Sequence, residues 1–469
     1  MFVEECVAVK YFTCRTPVNL FQSPHVELQE LFGENDAADA STKSLAETTN
    51  KQEGSHFISK FQSSMMLARF CVGSGLFSIP AAFRYSGIWV GIFWIFINGL
   101  LMAYGMNKLA KLSYEISRRT GASTVYYGDI GEECAKVIFK EKCGNFGRIL
   151  INVVIALACF ALVCTQMIYI AEIWKQGFEQ LGIQEMDISS WILIVYCCLF
   201  PLFQIRRPDI LATCSLLANI LTLIGTITIF VYIFSANIFQ TYRQNWRQED
   251  EVQWTKLPLT IGITFYAYQL VAPLIVTMRN VMQEPNKIPF VINIVMACVT
   301  VLYGLLGATG YAACFPQCKD SILLNVPGSR YHSIVKILLG LASSVGSVLG
   351  MFVCFNVVEP ILKTLLPENR FLVASITTRI FVVTFAAGIT AAVPELGNVM
   401  SLAGTLTNPT LSLILPAIGH IALFYKTCSR ISLAKDIALL FCGLLILVIG
   451  VYTSLYYIFY DLAYVVPNP

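Results

Sequence analysis

About eleven long apolar segments recur along this 469-residue chain, and they constrain its fold more than any other feature. A bilayer core about 30 Å thick is crossed by a helix of about 20 apolar residues. We therefore predict an all-α integral membrane protein. The segments, numbered 1 to 11 in chain order, lie at about 61–83, 87–110, 147–175, 190–204, 209–236, 257–282, 288–314, 333–362, 371–393, 399–424 and 435–460.

The composition excludes several classes of protein. Only 13% of residues are charged, 56% are hydrophobic and the mean hydropathy is +0.66, whereas soluble domains carry about 25% charged residues. The net charge of +3 comes without a Lys/Arg block, so we expect a lipid bilayer and no nucleic acid as partner. Four His without paired spacing predict no metal site, and no catalytic triad or phosphate-binding loop indicates an enzyme or a cofactor.

Polar stretches at the ends of the segments set the domain boundaries and the orientation. Residues 1–55 are rich in Ser, Thr, Glu and Asp, and we predict a disordered cytosolic tail followed by a membrane domain over 56–465. Basic residues concentrate on the side that holds the loop at 113–146, which by the positive-inside rule is cytosolic. That loop is expected to contain a short surface helix from Tyr127 to Phe139.

Segment 1 contains the sequence that most suggests a binding site. Gly73, Ser74 and Gly75 weaken the helix in mid-membrane, and Pro80 removes a further backbone hydrogen bond. Non-helical backbone at that depth persists where it lines a cavity or is buried in protein. A helix that restarts after such a break presents free N–H groups that suit a carboxylate. The alternative is a close-packing Gly-x-Gly with a proline kink, which is common in membrane helices.

Segment 6 carries a matching interruption. Gly262, Gln269 and Pro273 lie in an otherwise apolar stretch. If the chain consists of two repeats of five helices, segment 6 is the counterpart of segment 1. Paired Gly/Pro interruptions in two halves are a sequence sign of a transporter's binding site.

Further polar residues lie within the apolar segments. Arg69, about one turn before the break, must be paired or must extend to the interface, because an isolated Arg in the membrane is costly. Glu172 and Glu359 lie nearer segment ends and are interpreted as interfacial. Interhelical hydrogen bonding and contact with a cavity remain equally open for the others. They are Gln166 and Tyr169 in segment 3 and Ser343, Ser344 and Ser347 in segment 8.

Two cysteines, Cys314 and Cys318, flank the end of segment 7 on the predicted outer side. A pair exposed to an oxidising compartment can form a disulfide. The four-residue spacing and the intervening Pro316 leave this pairing open.

Several stretches, taken in their order and spacing, resemble the amino acid/auxin permease family, and most of all its proton-coupled amino acid transporter branch. The resemblance covers about residues 57–460. Arg69 stands where that branch usually has Lys. The stretches are Val72–Phe83, Cys164–Tyr169, Leu216–Asn219, Phe265–Gln269, Asn280–Pro285, Val393–Gly404 and Leu413–Pro416.

The resemblance implies a LeuT-like fold, with segments 1–5 and 6–10 as inverted repeats and segment 11 outside them. It implies that an amino acid binds between the broken segments, its carboxylate at Gly73, Ser74 and Gly75. The unwound part of segment 6 would take the ammonium group and the side chain. Substrate-contacting residues would then include Phe265, Tyr266, Tyr268 and Gln269, with Gln166 and Tyr169, while Arg69, Ser343, Ser344 and Ser347 would serve coupling or gating.

Departures from the branch leave the coupling ion open. Met66 stands where several proton-coupled members carry His, and Gln269 stands where they carry Glu. H⁺, Na⁺ or facilitated exchange all remain possible. The leading hypothesis is a secondary transporter of small neutral amino acids, and the alternative is an amino-acid sensor with little transport. The sequence is equally compatible with a plasma membrane and a lysosome-like membrane.

Overall fold

The computed structural model describes residues 59–464, apart from 123, 140, 206–207, 236–251, 316, 366 and 394. The predicted N-terminal tail and the side chains of Met66 and Arg69 therefore lie outside the described residues. The first eight helices are α1 (Lys60–Cys71), α2 (Ser74–Thr120), α3 (Tyr127–Phe139), α4 (Gly144–Glu179), α5 (Ile188–Leu202), α6 (Pro208–Ser235), α7 (Leu257–Ala267) and α8 (Val271–Val281). The remaining seven are α9 (Ile288–Cys314), α10 (Ile322–Asn325), α11 (Arg330–Leu365), α12 (Glu368–Ala392), α13 (Leu396–Pro409), α14 (Leu415–Phe424) and α15 (Arg430–Tyr464).

The described part of the chain contains nine helices long and apolar enough to cross a membrane. This confirms the predicted all-α membrane class, while the count of eleven crossings remains a prediction. Two features account for the difference between nine and eleven. The 47-residue α2 covers the second half of segment 1 and all of segment 2, and it bends at Gly87, where φ is 67°. The 15-residue α5 is apolar but shorter than a typical crossing helix.

Local sequence accounts for several helix ends. The Asp187 carboxylate accepts the Ser189 amide and caps α5, as expected for Asp at this position. At the end of α2, Gly121 adopts a left-handed conformation with φ 66°, the usual helix stop. The surface helix predicted from Tyr127 to Phe139 is α3.

The long helices pair in a regular way. α2 packs along α9, and α4 packs along α11. These pairs join segment 2 to segment 7 and segment 3 to segment 8, so each joins positions five segments apart. Such pairing is expected when two five-helix repeats face each other. The short α7 lies in the middle, against α2 and α13.

Candidate substrate site

The first helix break lies where the sequence predicts it. α1 ends at Cys71, Gly73 is extended with φ −140° and ψ −153°, and α2 begins at Ser74. A helix leaves its first N–H groups without an intrahelical partner, so the amides at the start of α2 are available to an acceptor. Pro80 lies inside α2 and does not interrupt it.

The second break lies between Gly262 and Pro273 and contains Gln269. α7 ends at Ala267 and α8 begins at Val271, with Leu270 in a left-handed conformation at φ 63°. Among the described residues that are not glycine, this is the single positive φ. A branched side chain pays a steric cost for this conformation, so the surrounding packing must hold it. Gly262 instead permits close packing, because a Cβ there would lie 2.1 Å from the Ser401 hydroxyl.

The two breaks touch each other. A Cβ built on Gly75 would lie 2.7 Å from the Ala267 Cα, closer than real side-chain carbons approach backbone. At Gly73, by contrast, a Cβ would meet no atom within 4 Å. The N-terminal end of α2 therefore rests on the C-terminal end of α7, with open space beside Gly73.

A hydrogen-bond network from α4 faces both breaks. The Gln166 side-chain amide donates to the Ser74 hydroxyl at 2.8 Å. The Tyr266 hydroxyl lies 2.7 Å from the Thr165 hydroxyl and 3.4 Å from the Ser74 hydroxyl. All four side chains are buried. The Gln166 side-chain oxygen is buried without a partner and has the capacity to accept a hydrogen bond.

Three of the other predicted substrate residues lie at or next to the second break, whereas Tyr169 lies on α4. Gln269 donates to the Ala158 carbonyl at 2.7 Å, and its own side-chain oxygen is buried without a partner. The ring of Phe265 packs near Trp94, with centroids 6.5 Å apart. Tyr268 and Tyr169 are fully buried, Tyr169 one turn along α4 from Gln166.

Sequence reasoning missed two residues that hold the second break. Asn408 of α13 donates to the Phe265 carbonyl at 2.5 Å. The Tyr303 hydroxyl of α9 contacts the carbonyls of both Cys71 and Ala267, at 2.6 and 2.9 Å. Both are polar residues inside apolar segments, the signal that drew attention to Gln166.

The residues predicted for coupling or gating do not join this network in the described structure. Ser344 donates to the Gly340 carbonyl and Ser347 to the Ser343 carbonyl, all within α11. The side chain of Arg69 lies outside the described residues. Those assignments stay predictions.

The two acidic residues interpreted as interfacial differ from each other. Glu359 pairs with the buried Arg379 at 2.8 Å, so it joins α11 to α12. One carboxylate oxygen of Glu172 is buried without a hydrogen-bond partner.

A set of contacts around Asp320 joins three parts of the chain. Arg84 pairs with Asp320 at 2.9 Å, and the second Asp320 oxygen accepts the Gly397 amide at 2.9 Å. These contacts join α2, the loop before α10 and the start of α13. In the same region Cys314 and Cys318 are placed in a disulfide, with Cα atoms 4.8 Å apart.

A second charged cluster lies apart from the breaks. His420 of α14 and Asp436 of α15 are fully buried and pair at 2.7 Å. Lys108 of α2 reaches the same carboxylate at 3.0 Å, and Tyr104 donates to it at 3.2 Å. The cluster joins three helices on the membrane face where α1 begins. No group of three or more metal-ligating side chains occurs among the described residues.

Two broken helices whose breaks meet, with free amides and uncharged polar side chains around them, are typical of membrane transporters. The family model for the transmembrane amino acid transporter protein matches residues 56–456. The chain belongs to this family. Its members are transporters and not enzymes.

Individual relatives are distant but similar in length. Amino acid transporter ANT1 of Arabidopsis thaliana is 24% identical over 405 residues, which is 82% of this chain and 89% of that protein. Proton-coupled amino acid transporter-like protein pathetic of Drosophila melanogaster is 25% identical over 401 residues, 82% of each chain. Among solved structures, a substrate-bound Na⁺-coupled sialic acid symporter is 14% identical, with 86% and 89% of the chains covered and a TM-score of 0.48.

Proposed function

We propose that this protein moves small neutral amino acids across its membrane by alternating access, with the substrate bound between the two helix breaks. One observation carries the proposal: polar side chains of α4 and α7 converge on Ser74, the first residue of α2, directly beside the break at Gly73. Free amides at a helix N-terminus suit the substrate carboxylate. The partner-free oxygen of Gln166, and that of Gln269 at the second break, suit the ammonium group.

The size and charge of the substrate follow from the lining. The bulky side chains of Phe265, Tyr266, Tyr268 and Tyr303 surround the second break, and Gly75 already touches Ala267. This crowding favours a substrate with a small side chain. The described side chains that hydrogen-bond at the breaks are uncharged, so they offer no counter-charge to an acidic or basic substrate.

The coupling ion is H⁺ or Na⁺ in this proposal. The asymmetry of basic residues supports a cytosolic N-terminus, in a plasma membrane or a lysosome-like membrane.

Uptake into proteoliposomes tests the proposal. Purified protein should accumulate radiolabelled alanine, glycine or proline under an imposed H⁺ or Na⁺ gradient, whereas protein-free liposomes should not. Gly73→Val should abolish the uptake without loss of folding, because its side chain would fill the space beside the amides. An absence of saturable uptake or exchange across a broad amino acid panel would refute transport. Binding without flux would support an amino-acid sensor instead.

A further inference from the structure

The carbonyl groups at the two helix breaks need an electropositive partner. The last carbonyls of a helix have no intrahelical donor and form the negative end of its dipole. α1 and α7 both end at the junction of the two breaks, so two such ends converge there. In broken transporter helices, unwound carbonyls and half-helix C-terminal ends coordinate a coupling cation.

At the end of α7, hydrogen-bond donors of the protein itself take the place that a cation would have. The Phe265 carbonyl accepts the Asn408 side-chain amide at 2.5 Å and the Tyr268 amide at 3.1 Å. The Tyr266 carbonyl accepts the Gln269 amide at 2.9 Å. The third carbonyl, that of Ala267, accepts a hydrogen bond from the Tyr303 hydroxyl. Each of the last three carbonyls of α7 is therefore satisfied internally.

Tyr303 joins this end to the end of α1. Its hydroxyl oxygen lies 2.6 Å from the Cys71 carbonyl oxygen and 2.9 Å from that of Ala267, which leaves no gap for an ion between them. One hydroxyl proton shared by two carbonyls is a three-centre hydrogen bond. The Tyr303 ring is fully buried and packs on Tyr268, with centroids 5.1 Å apart. The Tyr268 hydroxyl lies 3.2 Å from the Thr300 hydroxyl of α9. This hydrogen bond holds Tyr268 against the Tyr303 ring and restricts the movement of that ring.

We propose that Tyr303 is a positioning residue whose hydroxyl takes the place of a coupling Na⁺ at the junction of the two broken helices. The protein then holds its substrate geometry without Na⁺. This inference rests on the proposed transport function and narrows its coupling ion. It predicts that the hydroxyl of Tyr303 sets substrate affinity although it need not touch the substrate.

Tyr303→Phe isolates the hydroxyl, because the ring and its contact with Tyr268 remain. Tyr311→Phe is the matched control, since it removes another hydroxyl from a buried tyrosine of the same helix, two turns away. In proteoliposomes we expect Tyr303→Phe to raise the KM for uptake at least tenfold and Tyr311→Phe to change it less than twofold. A fall in maximal rate that matches a loss of folded protein, with KM unchanged, would show a purely structural role and overturn the proposal.

Ion replacement tests the second half of the inference. With choline in place of Na⁺, at a fixed pH gradient, the wild-type KM and maximal rate should stay within twofold. An uptake that requires Na⁺ would overturn the proposal.

Hydrogen exchange separates failure of this inference from failure of the transport function. Amides at 72–76 and 268–272 should exchange at least tenfold faster in Tyr303→Phe than in wild type or in Tyr311→Phe. This measurement needs no transport, so it still decides the role of Tyr303 if no amino acid is taken up. Unchanged exchange at both breaks would overturn that role.

Discussion

The contact between Gly75 and Ala267 gives the most specific prediction about the site. An alanine at 75 would place its Cβ 2.7 Å from the Ala267 Cα and 3.1 Å from its Cβ. Carbon atoms pack best at about 3.5–4.0 Å, so the two helix ends must separate by about 1 Å. Backbone atoms lie on both sides of this contact, and no side-chain rotation can relieve it. Overpacking of this kind costs about 1–3 kcal/mol.

The expected shift in thermal stability follows from that cost. An unfolding entropy of about 2.1 cal/mol/K per residue, taken over roughly 400 residues, converts it into a fall in Tm of about 1–4 °C. The same displacement moves Ser74, whose hydroxyl lies 3.4 Å from the Tyr266 hydroxyl, away from its partners. Because binding groups must be held within about 0.5 Å, uptake should fall at least tenfold in Gly75→Ala.

Two other glycines provide matched controls. At Gly73 a Cβ meets no atom within 4 Å and the extended backbone suits any residue, so Gly73→Ala should keep the wild-type Tm while lowering uptake. At Gly388 on α12, a helix that contains neither break, a Cβ also meets no atom within 4 Å, so Gly388→Ala should lower neither quantity. Wild-type transport and unfolding in Gly75→Ala would show that the two helix ends are not in tight contact. An equal loss of thermal stability in Gly73→Ala would show that the loss does not come from the contact with Ala267.

Two further predictions concern charged residues away from the breaks. Asp436→Asn removes the buried charged partner of Lys108 and His420. The free energy of unfolding should fall by about 3–5 kcal/mol, measured by thermal unfolding. A wild-type Tm would contradict the burial of this cluster. A double-mutant cycle on the partly exposed pair of Arg84 and Asp320 should give a coupling free energy of about 1 kcal/mol or less. A coupling several times larger would mean that the pair is far better shielded from water than its exposure indicates.

The fold could be predicted to a large extent from the sequence. Apolar segments of membrane length mark helices, because unsatisfied backbone in lipid is too costly for other structures. The break near Gly73 was predictable for the same reason, since two glycines separated by one residue are unfavourable in an unbroken helix at that depth. The continuity of α2 was harder to predict, because Pro80 fits in its second turn and the bend comes later, at Gly87.

The second break shows what local sequence could not reveal. Gly262 and Pro273 mark its neighbourhood, yet the chain unwinds at Tyr268–Leu270, where no glycine or proline occurs. Tertiary contacts satisfy the carbonyls freed by this break, through Asn408 and Tyr303 on other helices. Helix propensity carries no information about such partners, so only the three-dimensional arrangement identifies them.

The central claim is that an amino acid binds between the two helix breaks. Cryo-electron microscopy of the protein in nanodiscs, with and without a saturating concentration of a transported amino acid, tests it most directly. We predict substrate density within hydrogen-bonding distance of the amides at 73–75 and of side chains at 166 and 266–269. Density at another position, or continuous helices through residues 71–75 and 267–271, would contradict it.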